Sequence, residues 1–361
     1  MKLLKTLSCL CVVLGLLVTM TGCPEIAHTD DPTNTSSTAK IEPKGMMYFN
    51  FFDTVSYIYC YAADSQEQFD ARCKAASEIL GEYHRLFDIY HAHSGVVNLK
   101  TLNDNAGKDP MKVDQKLIDF LLYAKELYQT TNGEMNIMMG AVLRLWHDCR
   151  EDAGNNPSNA KIPTDDALNE AVKHTDISCL EIDEKNQTVR ITDPKASIDV
   201  GALGKGYATE KAAQHLRSIG AESYVLNIGG NIRIIGYKPD GSGWGTGVKN
   251  PANPSAYAMK LTLANTSCVT SGDYERFFVV DGVKYHHVID KDTLKPSVYF
   301  SSVTIITADS GLADALSTAL FAMSYEDGLA LVNKIGNVDV LWITPDGTQY
   351  YTDGLAKLIQ K

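Results

Sequence analysis

The sequence predicts an α+β fold built as one large mixed domain, and three observations point there. Short alternating and β-branched runs crowd the stretch from Tyr224 to Thr307, helical patterns flank it, and the regular strand–helix alternation of a doubly wound sheet is missing. The 361 residues are 44% apolar and 21% charged, globular proportions that support a sizeable core. No internal repeat is present.

Taken in order, the chain opens on a targeting pattern rather than on the fold. "MKLLK" is a basic start, "LSCLCVVLGLLVTM" an apolar run short for a membrane span, and "TGC" a small-residue cleavage site ending in Cys23. The block resembles a bacterial lipoprotein signal, residues 1–22, whose cysteine is lipidated after cleavage; an ordinary cleaved secretory leader is the alternative. Residues 23–45 then read as lipidated cysteine and tether, since "PEIAHTDDPTNTSSTAKIEP" lacks periodic apolar positions. A domain over 46–361 follows, on the extracytoplasmic face of a bacterial membrane. It opens with a strand pair in "MMYFNFFDTVSYIYCYA".

Helical patterns cover about 65–86 and 114–130, with Ser65 and Asp114 placed to cap them, and a polar loop covers 150–164. Short strands at "LEID" and "TVRIT" precede a glycine-rich motif and a helix reaching Ser218. Strands follow in "SYVLNIGGNIRIIGY", "YAMKLTLAN", "RFFVVDG", "YHHVID" and "SSVTIIT". Helices near 311–323 and 326–335 and a strand in "VDVLWITPDG" close the chain.

The formal net charge of −11 argues against a nucleic-acid surface, so an anionic ligand has to be held locally. Outside the leader region the cysteines are Cys60, Cys73, Cys149, Cys179 and Cys268, scattered without C-x-x-C or metal-site spacing. They are expected to be mostly buried small hydrophobes rather than a disulfide framework.

Three clusters carry candidate chemistry. In "SIDVGALGKGYATE", Gly201, Gly204 and Gly206 let backbone approach a ligand, and the following helix N-terminus and Lys205 favour an anion. The motif is not a Walker A loop, because Asp199 occupies the first glycine position and Gly206 the Ser/Thr position; a purely structural turn is the other reading. In "GLADALSTAL", Asp314 and Thr318 lie four apart on one helix face, hard oxygens suited to Mg²⁺, or else a satisfied surface pair. In "TSGDYERFF…YHHVID", Thr270, Ser271 and Gly272 read as a turn and Arg276 can fork onto a carboxylate or phosphate. His286 and His287 face opposite sides of an extended stretch, so one could serve in proton transfer while the other is structural.

Together these blocks resemble the ApbE-type FAD:protein FMN transferases. The matching pieces are "FFDTVSY", "LFDIYHAHSGVVNLKTLN", "TNGEMNIMMGAVLRLW", "SIDVGALGKGYATEKAAQHL", "YVLNIGGNIRIIG", "TSGDYERFF", "YHHVIDKDT" and "GLADALSTALFAMS", in family order over residues 48–345. The resemblance implies a flavin-transferase domain that uses Mg²⁺ to attach FMN from FAD to a Thr or Ser of an acceptor protein. The acceptor would be a redox membrane complex or an extracytoplasmic flavoprotein. It implies that Asp199 and Lys205 contact FAD, and that the Ala202 carbonyl joins Asp314 and Thr318 around Mg²⁺. Tyr90, Glu134, Met135 and Asn136 would line a flavin or adenine pocket. His287, itself in contact with FAD, or an acid it orients such as Asp290, would take the acceptor hydroxyl proton.

Three departures from the family pattern stand out: Asn136 where an Asp is usual, Leu294 where a glycine is usual, and Ser317 in place of a second acid. The first and third are expected to shift metal affinity or the balance between transfer and hydrolysis. The readings that compete with transfer are a Mg²⁺-dependent FAD pyrophosphatase and a non-catalytic flavin-binding lipoprotein. A transporter's substrate-binding lipoprotein would explain the leader and tether, and neither the metal nor the glycine cluster.

Overall fold

The computed structural model describes residues 42–360. The proposed signal peptide, Cys23 and all but the end of the proposed tether lie outside the described residues. Within them, no helix is long and apolar enough to cross a membrane.

The helices in chain order are α1 (Gln66–Phe87), α2 (Leu99–Asp104), α3 (Gln115–Thr130), α4 (Gly140–Asn155), α5 (Asp165–Ala171), α6 (Gly204–Ser218), α7 (Ser310–Ala319) and α8 (Tyr325–Ile335). A last turn covers Asp353–Ala356. Both expected caps are in place. Ser65 and Gln68 form a reciprocal capping box on α1, and the Asp114 carboxylate accepts from the Lys116 N–H at the start of α3.

The centre is an eight-stranded sheet, antiparallel at every neighbouring pair. In spatial order its strands are Lys44–Phe51, Thr54–Cys60, Tyr224–Ile228, Asn231–Ile235, Ser267–Gly272, Ser302–Thr307, Asp339–Ile343 and Gln349–Tyr351. Ser302–Thr307 is buried at every position, which requires cover on both faces. Val303 and Ile305 point into a cluster with Leu316 and Leu320 of the α7 region. Ile306 points the other way, into a cluster with Trp244 and Leu261 from the long hairpin Trp244–Asn250/Asn253–Leu263. The molecule is therefore layered helix, sheet, hairpin, and α1, α3 and α6 build the largest core around Leu80, Phe120 and Ala212.

Several expectations need correction. The first strand begins at Lys44, inside the expected tether. Thr270–Gly272 is not a turn but the end of a central strand, and the strand through "YHHVID" stops at His286. The loop expected from 150 starts late, because α4 runs on to Asn155. Strand Trp244–Asn250 went unread because Gly245 and Gly247 dilute its pattern. The five cysteines are free, four of them buried, as expected.

Candidate active site

The glycine motif and the Asp314 helix meet. Gly206 sits in the first turn of α6, where an added Cβ would come within 2.3 Å of the Ser310 carbonyl oxygen and 2.4 Å of the Asp314 Cβ. Only glycine allows α6 and α7 to approach so closely. The approach lets the Gly206 N–H donate to Asp314 Oδ2 at 2.8 Å, across 108 residues of sequence. Gly206 is the third residue of α6, so its N–H is one of the first-turn donors that no carbonyl of the helix can satisfy, and Asp314 supplies the missing acceptor. The Ala202 carbonyl, just ahead of the helix, has no backbone donor among the described residues.

Asp314 is 4% exposed, and burial raises its carboxyl above the usual range, opposed by Lys205, the Gly206 amide and Asn231. Lys205 Nζ stands 3.9 Å from its Oδ2 and donates to the Gly201 carbonyl at 3.3 Å. The Asn231 side chain lies against Asp314, and its buried Oδ1 has no hydrogen-bond partner. Thr318 is half-buried, its hydroxyl 3.4 Å from that of Ser271. Ser317 is fully buried and spent: its Oγ donates to the Asp314 carbonyl at 2.8 Å and meets Ser271 Oγ at 2.8 Å.

Ala202, Asp314, Thr318 and the orphaned Asn231 oxygen offer one carboxylate and neutral oxygens. That donor chemistry fits Mg²⁺, which keeps waters and borrows substrate phosphate oxygens. No group of three His, Cys, Asp or Glu side chains able to hold a metal occurs among the described residues.

Asp199 starts the loop. Its N–H donates to the Ile137 carbonyl at 2.8 Å, and Gly140 takes Ser197 so closely that a Cβ would lie 2.4 Å from the Ser197 oxygen. These contacts bring the "GEMN" segment to the loop's edge. Burial raises the Asp199 carboxyl, while the Gly201 amide, Arg276 and Arg150 pull it down.

The pocket residues divide. Tyr90 is 43% exposed, on a loop anchored by Asp88, whose Oδ1 accepts the Tyr90 and His91 amides at 2.7 and 2.9 Å. Glu134 pairs with Lys291 at 3.2 Å; burial raises its carboxyl and Lys291 lowers it. The Met135 side chain is 3% exposed in the main core, so only its backbone can line a pocket. The Asn136 amide is occupied within the protein, accepting from the Met138 amide and donating to the Thr175 carbonyl, both at 2.9 Å.

The histidines also divide. Both ring nitrogens of His286 are used, Nε2 with the Ser297 carbonyl at 2.8 Å and Nδ1 with the Val288 amide at 3.2 Å. His287 touches only the Arg276 carbonyl, Nδ1 at 3.2 Å. A carbonyl can only accept, so Nδ1 carries the proton and the Nε2 lone pair is free to take another. Burial, Arg276 and Arg150 hold its pKa down to about 3. Asp290 does not serve it: Asp290 Oδ1 accepts the amides of Asp292 and Thr293 at 2.8 and 3.3 Å, closing a turn. Leu294 ends that turn at φ +57° and packs against Trp146, whose indole donates to its carbonyl at 2.9 Å. The strain of a non-glycine there is offset by this contact.

Behind the loop, Glu210 and Arg233 form a buried ion pair at 2.8 Å, and Glu210 also accepts the Ser310 amide at 3.0 Å. Sequence reasoning missed this pair, Asn231, and His147 and Arg150 on α4. The three-residue spacing of Arg144, His147 and Arg150 was the available signal for the last two.

Comparison with known proteins agrees with this geometry. The ApbE family model matches residues 52–342. The FAD:protein FMN transferase of Treponema pallidum is 33% identical over 263 residues, covering 69% of this chain and 71% of that protein. The ApbE protein of Thermotoga maritima superposes with a TM-score of 0.78 at 29% identity, covering 89% of this chain and 100% of that one. The flavin transferase ApbE of Vibrio cholerae gives 0.72 at 27% identity, covering 88% of this chain and 99% of that one. With two of the three sequence clusters folded against one another and the match running through nearly all of the described chain, this protein belongs to the ApbE family.

Proposed function

We propose that this chain transfers FMN from FAD to a Thr or Ser hydroxyl of an acceptor protein, releasing AMP. The Treponema relative is named an FAD:protein FMN transferase and the Vibrio one a flavin transferase. The observation that carries the reading is the close approach of α6 and α7, in which the Gly206 amide donates to Asp314 and so joins the glycine loop to the carboxylate that would hold a cation.

Ala202, Asp314 and Thr318 would hold Mg²⁺, with Asn231 Oδ1 a further donor beside them. Bound there, the ion would neutralise charge on the pyrophosphate. Lys205 adds a fixed positive charge next to Asp314. Asp199 and Tyr90 orient the dinucleotide, and Glu134, held by Lys291, closes the pocket edge. The acceptor hydroxyl oxygen attacks the FMN phosphorus, its proton passes to His287 Nε2, and the bond to AMP breaks. Asp290 acts in this scheme only by shaping the turn after His287.

Incubation with FAD, Mg²⁺ and candidate acceptors, followed by mass spectrometry, tests this: one FMN should be added to an acceptor Thr or Ser, and AMP should appear in equal amount. FAD cleaved without an adduct makes the chain a pyrophosphatase, and FAD bound but intact makes it a flavin carrier. The proposal extends to attachment through a lipidated Cys23 on the outer side of a bacterial membrane. Detergent phase partitioning of wild type and Cys23→Ser tests that part, with the variant expected in the aqueous phase.

A further inference from the structure

Helix α4 presents Arg144, His147 and Arg150 at three-residue spacing, along one side of the helix. Arg144 is spent on the surface, 2.8 Å from Asp148 with both side chains exposed. Arg150 differs. Its side chain is three-quarters buried, and the one carboxylate in range, Glu151, is 4.0 Å away. Its Nη2 instead meets His147 Nδ1 at 2.8 Å. A guanidinium can only donate, so Nδ1 is the acceptor and His147 is neutral with its proton on Nε2. The ring is thereby a bracket for Arg150, and it stands 5.2 Å from the Tyr90 ring, tilted by 32°.

Arg276 comes from the other side, at the base of the hairpin Phe277–Val280/Val283–His286, with no carboxylate within 4.0 Å among the described residues. Arg150 and Arg276 both draw the Asp199 carboxyl down against its burial, and Arg276 helps to lower Arg150. Yet no ion pair within 4.0 Å joins either arginine to Asp199, whose Oδ1 takes the Gly201 amide instead. Arg276 therefore has no carboxylate in direct contact and Arg150 only Glu151 at 4.0 Å, so both guanidiniums keep donors for an anion. Such donors, beside an exposed tyrosine, suit a phosphate ester.

We infer that Arg150, bracketed by His147, and Arg276 grip a phosphate group of the nucleotide substrate beside Tyr90. This rests on the FAD reading and adds a binding residue and a positioning residue to it. The phosphate belongs to either the AMP half or the FMN half of the dinucleotide, and the test separates them.

FAD, AMP, FMN and riboflavin are titrated calorimetrically without metal against wild type, Arg150→Met, His147→Leu and His147→Gln, with thermal unfolding checked for each. Arg150→Met is expected to weaken FAD by about tenfold or more and to leave riboflavin unchanged. A parallel loss for AMP assigns the grip to the leaving half, and one for FMN to the transferred half. His147→Leu should follow Arg150→Met, while His147→Gln, which keeps an acceptor, should retain affinity. Unchanged affinity for every phosphate ligand, or an equal loss for riboflavin, overturns the inference and leaves the FAD reading standing. Wild type that binds none of the four overturns both.

Discussion

Two sets of charges lie on either side of the same loop and are treated oppositely. Behind it, Glu210 and Arg233 are buried and paired at 2.8 Å; Glu210 also accepts from Ser310 and Gln214, and Arg233 Nη1 donates to the Ile234 carbonyl. In front of it, Asp199, Arg150 and Arg276 are the same chemical types and none pairs with another. Charges that satisfy each other fix α6, α7 and the strand Asn231–Ile235 in place. Charges kept apart retain their full attraction for something that arrives later. Unpaired polar groups are therefore the mark of the working side here, and paired ones of the frame.

The largest effect should come from breaking the frame. Glu210→Ala or Arg233→Met leaves a buried charge without its partner and should cost about 3–5 kcal/mol in urea unfolding. A cost under about 1 kcal/mol would show the pair to be no better than a surface one and would dissolve the contrast.

Asp314→Asn sharpens the contrast from the other side. Mg²⁺-supported FAD turnover should fall about a hundredfold or more, while the unfolding midpoint stays level or rises, because a desolvated carboxylate is removed. The raised carboxyl also fixes a pH sign: as pH falls, Asp314 protonates before an ordinary aspartate does, so the cost of burying its charge disappears and cation binding goes with it. Mn²⁺ titrations at stepped pH read this directly.

Gly206→Ala should be intermediate, costing about 1–3 kcal/mol through the 2.3 Å approach to Ser310. Cation affinity should drop in the same variant, since the new methyl displaces Asp314. Retained affinity would mean that the helices slide without disturbing the site.

The smallest effect concerns His287. Its folded pKa of about 3 lies below the unfolded value, so the folded ring stays neutral while the unfolded one takes a proton as pH drops below about 6.5. Stability is lost in that window, and His287→Gln should remove that part of the acid sensitivity. The kcat/KM profile for FAD should show no inflection at the ordinary histidine value, and a clear one there would place solvent, not arginines, around the ring.

Elements with strong local patterns were legible: α1 and α3 with their caps, the β-branched Ser302–Thr307, and the clusters around Asp199 and Asp314. What could not be read was partnership across distance. Nothing near Gly206 announces that Asp314 will take its amide, and nothing near Met135 says its side chain will turn into the core. The choice between His286 and His287 needed the Ser297 and Arg276 carbonyls, both about ten residues away along the chain. Arg150 fell where Asp, Gly and Asn made a helix end look like a loop.

The Gly206–Asp314 bond has a consequence for incomplete chains. It joins two segments 108 residues apart, so the first turn of α6 gains its carboxylate partner only when α7 docks. A chain that ends before Asp314 owns the glycine loop without the carboxylate that faces it. Truncation anywhere before residue 314 should therefore give a protein that is silent toward FAD rather than partly active.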